Sequence, residues 1–559
     1  MTLNDKTALP GSKRDILGGL AAILLGLAGF LLFVGASTLV PTNIGWLNVA
    51  DRAMHTLGWM FFRAAPWAIP PGASPHLGIE LASSIGMVDG LPLFALPLKL
   101  LRDWLPNPFQ YWGIWLLLSF MLQSLFAYAI ARELRASRLP SLVAAGFVLI
   151  TPAFLFRVPM HLALSGHWTL LAALYLYVRR SPPKHWMWPL GVAVTASIHA
   201  YLLAMVLALW LAALVERLWT RRLSPRTAVV ELVVALALTA VVLWTAGFFG
   251  SGSIGNYGYG DYKLNVLWPF LTYGHWSQIF PDLPHAKYDY EGLSFLGIGI
   301  LALLALALAA RPHLSPLLHR RWLPLMVVVL GMMVFALSMN LQLSGVHLGT
   351  IPVPKWVSDL ASTFRSTGRF VWPLLYLVTI GAVVLVARRF PAAVALPLAV
   401  VALAAQAADS APGLLSFASR IAVASSTWDT PLVSPFWERA ASAGYTRIRV
   451  VPVQNPGKDW KPLGYFAVTH GMDIDSAYLG RTDERAMRDL RSREAEVLAT
   501  GAFEPHTLYE LDVPAALTAA AHLAPDDLLA IIDSRIVLAK GGAHLVEGLG
   551  IQSHMPLGN

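Results

Sequence analysis

From residue 16 to residue 408 the chain is a succession of long apolar runs separated by short clusters of Lys and Arg. That alternation leaves few ways to fold. A run of about 20 apolar residues matches the hydrocarbon thickness of a bilayer, where the backbone must satisfy its own hydrogen bonds. Eleven such runs can be drawn, at 16–39, 111–131, 139–156, 160–178, 187–198, 202–215, 227–249, 293–310, 322–339, 370–387 and 391–408. Only 13% of the residues are charged and 56% are hydrophobic. An ordinary soluble enzyme carries about 25% charged residues, so that class is excluded. The expected fold is a membrane all-α protein of about eleven transmembrane helices with a small α/β domain at its carboxy-terminal end. Residues 1–408 form the polytopic domain, with a long first outer loop at 40–110, and 409–559 form a soluble extracytoplasmic domain.

The basic residues set the orientation. Up to residue 408 there are 28 Lys/Arg against 14 Asp/Glu, and from 409 onward 13 against 18. A basic excess confined to the apolar part marks cytoplasmic loops and not a nucleic-acid surface. Arg179, Arg180 and Lys184 precede the runs 187–198 and 202–215, and Arg217, Arg221 and Arg222 follow them. Two cytoplasmic clusters require an even number of crossings between them, with an outer turn near His199 and Tyr201. Arg311, Arg320 and Arg321 mark another cytoplasmic loop. The first run is longer than the roughly 7 to 15 apolar residues of a cleaved signal peptide and reads as a retained span. An odd number of spans, starting in the cytoplasm, places the acidic tail outside, in the periplasm of a bacterial inner membrane. The chain has no cysteine, which excludes disulfides, thiolate metal sites and a cysteine nucleophile.

Ionisable residues on the outer face run against the usual bias and mark candidate chemistry. In DRAMHTLGWMFFRAAPW, Asp51 and His55 are four apart and share a helix face, with Trp59, Phe61, Phe62 and Trp67 suited to the membrane interface. GMVDGLPLFALPLKLL places Asp89 before a stretch too short to span, ending at Lys99, like a half-inserted helix. FRVPMHLALSGHW holds Arg157, His161 and His167 at an outer turn, and YDYEGLSFLG holds Asp289 and Glu291. SIGNYGYGDYKLNVLWPF supplies Tyr257, Tyr259, Tyr262 and Lys263. In FRSTGRF, Arg365 and Arg369 stand at helical spacing before a span whose N-terminal partial charge adds to theirs, a pattern suited to phosphate. Each has a plain structural alternative. Asp51 and Glu291 can cap helices, Asp89 can start a turn, the tyrosines can form an aromatic belt and the arginines can pair with lipid headgroups.

Taken in order, DGLPLFALPLK, RVPMHLALSGHW, SIHAYLLAMVLALWLA, YGYGDYKLNVLWPF, YEGLSFLG and FRSTGRFVWP resemble a family of bacterial multi-pass membrane proteins related to the GT-C glycosyltransferase superfamily. The resemblance covers most of residues 15–410 and the tail more loosely; FRSTGRFVWP and YEGLSFLG are its most specific parts. It implies transfer of a sugar from a polyprenyl-phosphate donor to a glycan, lipid or protein acceptor on the outer face. Asp51, helped by His55, takes the place of the catalytic acid of the first outer loop, with Asp89 as a second acid. Arg365, Arg369, Arg157 and Lys263 would hold the donor phosphate. His161, His167, His199, Tyr201, Tyr259, Tyr262 and Glu291 would contact substrate. The close Asp-x-Asp or Asp-Glu pair of several GT-C families is missing, which leaves a divalent cation, Mg or Mn, open. A transporter or flippase of lipid-linked sugars and a non-catalytic envelope assembly protein are the competing classes.

In the tail, YTRIRVVPV and RIVLAK read as strands, LLAII as a buried strand and DERAMRDLRSREAEVLA as an exposed helix. No nucleophile motif or phosphate loop occurs there.

Overall fold

The computed structural model describes residues 13–250, 259–310, 320–422 and 424–554; Tyr257 and Arg311 lie outside the described residues. The chain is mostly helical and divides into two compact units. The first comprises Met1–Val40, Tyr111–Ala240 and Ile254–Ala424, and the second Pro41–Gln110, Val241–Ser253 and Ser425–Asn559.

Among the described residues six helices are long and apolar enough to cross a membrane: Asp15–Phe33, Trp112–Glu133, Ala200–Trp219, Pro225–Thr245, Thr367–Arg389 and Ala392–Asp409. Five shorter apolar helices, Arg138–Leu149, Leu162–Val178, Met187–Ala196, Ile298–Ala309 and Leu323–Leu337, occupy the other apolar runs. In the first unit, Trp112–Glu133 packs against the helix that ends at Phe33, against Arg138–Leu149 and against Leu162–Val178. Small residues let the backbones approach, as is usual where lipid offers no hydrophobic drive. A Cβ on Gly26 would lie 2.6 Å from the Phe120 carbonyl oxygen. Met187–Ala196 and Ala200–Trp219 are separate helices packed on each other. The break falls at His199, which is extended and whose Nδ1 accepts the Tyr201 backbone N–H at 3.1 Å, capping the second helix.

The first unit departs from a purely helical design in one respect. After Leu323–Leu337, β1 (Asn340–Leu343) and β2 (Val346–Thr350) pair as an antiparallel hairpin. Alternating NLQL and VHLGT around Ser344 and Gly345 carry the hairpin signal that a search for apolar runs passes over.

The second unit is built on a five-stranded sheet. Its strands are β3 (Arg447–Val451), β4 (Asp473–Ile474), β5 (Thr507–Leu511), β6 (Leu528–Ile532) and β7 (Arg535–Ala539), in the order β4-β3-β5-β7-β6. β3 runs parallel to β4 and β5, while β7 is antiparallel to β5 and β6. The charge-laced helix is present as Glu484–Thr500, capped by Asp483, whose carboxylate accepts the Arg485 N–H at 2.8 Å. Residues of the 41–110 segment extend the sheet edge. Leu77 bridges to Ile474, and the Gly78 N–H donates to the Ile474 carbonyl at 2.7 Å. Glu80 accepts two hydrogen bonds from Arg449, each 2.8 Å, and His76 lies 2.6 Å from Asp473.

Beneath that pair lie two further carboxyls with few partners. Asp475 is fully buried; its Oδ1 accepts the Val450 N–H at 2.9 Å, while Arg449 stands 3.6 Å from its Oδ2. Glu494 accepts the Val453 N–H at 3.2 Å. Burial pushes Glu494 up to about 7, and burial together with the Glu494 charge pushes Asp475 well above its ordinary range. Both groups therefore hold a proton more tightly folded than unfolded. For Glu494 the stability this confers is full below pH 4.5 and is lost as pH rises through about 7. That shift is on the order of 3 kcal/mol. Glu494→Gln should slow hydrogen exchange of the β3 and β5 amides of the whole protein at pH 8 and leave it unchanged at pH 5. Equal pH responses in the two proteins would remove the assignment.

Candidate functional site

A buried polar cluster of the first unit is assembled from three separated segments. Arg157 follows the short helix Pro152–Leu155, Glu291 lies in a 3-10 turn, Asp289–Gly292, and Arg369 in another, Thr367–Val371. Two glycines allow the last two turns to touch. A Cβ on Gly368 would sit 2.8 Å from Gly292 Cα and 2.9 Å from the Lys263 carbonyl oxygen, and the Gly368 N–H donates to the Tyr262 carbonyl at 3.0 Å. YEGLSFLG, FRSTGRF and the YGYGDYK loop thus meet backbone to backbone.

Glu291 is the centre of this cluster. Its Oε2 accepts from Arg157 Nη1 at 2.8 Å and from Arg369 Nε and Nη2 at 3.0 and 2.9 Å. Its backbone carbonyl takes a further bond from Arg157 Nη2 at 2.8 Å, and His161 Nε2 stands 3.8 Å from Oε1. The Arg157 guanidinium faces the Trp372 ring at 5.4 Å, and that of Arg369 faces Tyr201 at 4.7 Å. Burial alone would push the Glu291 carboxyl up. Arg157, Arg369 and His161 outweigh it and hold the carboxyl well below the usual carboxylate range. Burial pushes Arg157 down to about 10, which leaves it charged at neutral pH. Two guanidiniums thus share one carboxylate.

Around this centre the other residues take distinct places. Arg365 is exposed, stacked over Tyr262 at 4.9 Å, with no carboxylate partner among the described residues. Tyr262 in turn packs on Tyr288 at 4.6 Å. The Tyr201 hydroxyl accepts the Ser366 N–H at 2.8 Å, tying the turn after His199 to the arginine segment. Lys263 is buried 3.4 Å from Asp289, which also accepts from Asn265 Nδ2 at 2.9 Å. Tyr259 packs on Phe335 at 6.2 Å. His167 lies inside the helical core, where its Nδ1 is 2.6 Å from the Tyr376 hydroxyl, itself bonded by Gln123 at 2.9 Å. Asp289, which the sequence marks beside Glu291, joins the site through Lys263, and Trp372, to which the sequence reading gave no site role, faces the Arg157 guanidinium.

Asp51, His55 and Asp89 belong to the second unit. Asp51 and His55 are buried on the helix Ala50–Ala64. His55 Nδ1 is 2.9 Å from the Val88 carbonyl oxygen, which can only accept, so that nitrogen carries the proton. Asp89, next in the chain, is half-buried with a left-handed backbone, φ 47°, a conformation that Asp tolerates better than most residues. Among the described residues no three His, Asp or Glu side chains converge as a metal-binding set.

Residues 23–411 match the family described as a domain of unknown function, DUF6311, and residues 436–540 match the DUF6311 C-terminal domain. The chain belongs to the DUF6311 family. No curated protein matches it. The matched stretch of DUF6311 contains the Arg157–Glu291–Arg369 cluster together with Asp51, His55 and Asp89, and the C-terminal DUF6311 match contains all five strands of the sheet.

Proposed function

We propose that the protein is a GT-C-like glycosyltransferase that moves a sugar from a polyprenyl-phosphate donor to an acceptor on the outer face of a bacterial inner membrane. In this reading the eleven apolar helices all cross, the N-terminus is cytoplasmic and the sheet-bearing tail is periplasmic. The observation that carries the proposal is the pair of buried guanidiniums on a single carboxylate, with Arg365 exposed beside them. Their net positive charge suits a phosphate whose charge grows as the sugar leaves. Tyr262 and Tyr201 give the same surface aromatic faces.

The step balances without a cofactor. The acceptor oxygen bonds to the anomeric carbon, the bond from that carbon to the phosphate oxygen breaks, and polyprenyl phosphate departs with the bonding electrons. The acceptor hydroxyl proton passes to the Asp51 carboxylate, the role the resemblance implies, with His55 beside it on the same helix. A base of this kind contributes roughly 10² to 10⁴-fold. Arg365, Arg369, Arg157 and Lys263 are the phosphate-side groups. Lys263 acts from a greater remove because it is neutralised by Asp289.

Arg365 offers the cleanest test, since it makes no ion pair among the described residues. Arg365→Ala should weaken binding of a polyprenyl-phosphate sugar about tenfold or more, the usual worth of a charge-assisted hydrogen bond, with unchanged thermal stability. Unaltered donor affinity would remove the phosphate role.

A further inference from the structure

The second unit carries a feature that sugar transfer does not use. Trp67, Ile69, Leu100, Leu101 and Trp104 are exposed by 45, 88, 68, 44 and 80%, all within two turns of the 41–110 segment. The turns are locked together by cations. Arg63 donates to the carbonyls of Leu105 and Pro106 at 2.7 Å and of Arg102 at 3.0 Å, and Arg102 donates to that of Ala65 at 2.9 Å. Lys99 Nζ is buried 3.3 Å from the Pro66 carbonyl, over the rings of Phe62 and Trp67 at 4.0 and 4.7 Å.

These three cations are held by neutral carbonyls and rings, which stabilise the charge without cancelling it. The carboxylate beside them, Asp103, is 3.7 Å from Arg102 and its side chain is 88% exposed. Burial pushes Lys99 down to about 8, so it too stays charged at neutral pH. Arg63, Arg102, Asp103, Asn107 and Thr469 line a cavity of about 390 Å³ on this face. Positive charge on turns that also expose tryptophan and aliphatic side chains is the chemistry of an interface with anionic lipid: guanidinium binds phosphate, and indole settles at headgroup depth.

We propose that this face seats on the bilayer surface, with the phosphate of an anionic phospholipid in the Arg63–Arg102 cavity and Trp67, Ile69, Leu100, Leu101 and Trp104 among the upper acyl-chain carbons. The site shares no residue with the Glu291 cluster, and its failure would leave the transferase reading intact.

The cysteine-free chain makes the test direct. Full-length protein bearing Trp104→Cys or Ile69→Cys is labelled with bimane and placed in nanodiscs of phosphatidylethanolamine with phosphatidylglycerol. The reference is Arg488→Cys, on the exposed side of the helix Glu484–Thr500. Labels at 69 and 104 should be quenched several-fold more by doxyl lipids, and less by aqueous iodide, than the label at 488; equal behaviour at the three positions overturns the proposal. Native mass spectrometry of the detergent-purified protein then reads the headgroup. Arg102→Gln should lower phosphatidylglycerol retention several-fold with phosphatidylcholine unaffected. Displacement of phosphatidylglycerol by millimolar inorganic phosphate alone would mark a free-phosphate site and overturn the lipid assignment.

Discussion

Glu291→Ala is expected to destabilise the protein by about 3 to 5 kcal/mol, the cost of stranding buried charge. Both Arg157 and Arg369 lose the Glu291 carboxylate that they share, and Arg157 is 1% exposed. The loss would appear as a lower unfolding temperature in detergent and a smaller monodisperse fraction. The triple replacement Arg157→Met, Glu291→Leu and Arg369→Met should recover most of it, because apolar side chains of similar volume replace a buried ion cluster at little cost. The same triple variant should not bind a polyprenyl-phosphate sugar. Stability and donor binding are thereby separated. A Glu291→Ala protein as stable as the wild type would mean that the arginines find other partners and that the cluster is not the organising feature described here.

The second large effect concerns Asp51. Asp51→Asn keeps the shape of a side chain buried on the helix Ala50–Ala64 and removes its ability to take a proton. Sugar transfer in membranes supplied with donor should fall by about 10² to 10⁴-fold, with expression and donor binding unchanged. The competing classes predict otherwise, since neither a flippase nor an assembly protein needs a base at this position. Transfer within about twofold of wild type would move the proton acceptor elsewhere.

The helices were legible because apolar runs and basic ends are local signals. Each run has its apolar helix, and the strands read from RIRVV, LLAII and RIVLA lie where alternation and β-branching put them. The carboxylate at the centre of the site was also visible, as one of two acids just before an apolar run. What was hidden is pairing. Glu291 is joined to Arg157 and Arg369 across separations of 134 and 78 residues, and no periodicity encodes which cation a carboxylate selects. The two arginines of FRSTGRF show a subtler limit. Four-residue spacing aligns side chains on an α-helix, but Arg365 lies in a bend before the 3-10 turn Thr367–Val371, and Ser366 between them is not helical. Arg369 accordingly reaches Glu291 while Arg365 lies exposed on Tyr262. His167, read at a turn between two apolar runs, stands at the N-cap position of Trp168–Val178 with its side chain on the Tyr376 hydroxyl, a partner 209 residues away that the motif does not announce.

The attachment of Glu80 to Arg449 bears on biogenesis. The partners are 369 residues apart, so at the usual 5 to 20 residues per second the ribosome needs about 20 to 70 seconds to deliver the arginine after the glutamate. For that interval the newborn segment lacks both its counter-ion and the sheet edge that Leu77 joins. It is then at its most open to proteolysis and chaperone capture, and any nascent chain halted before β3 is left in that condition.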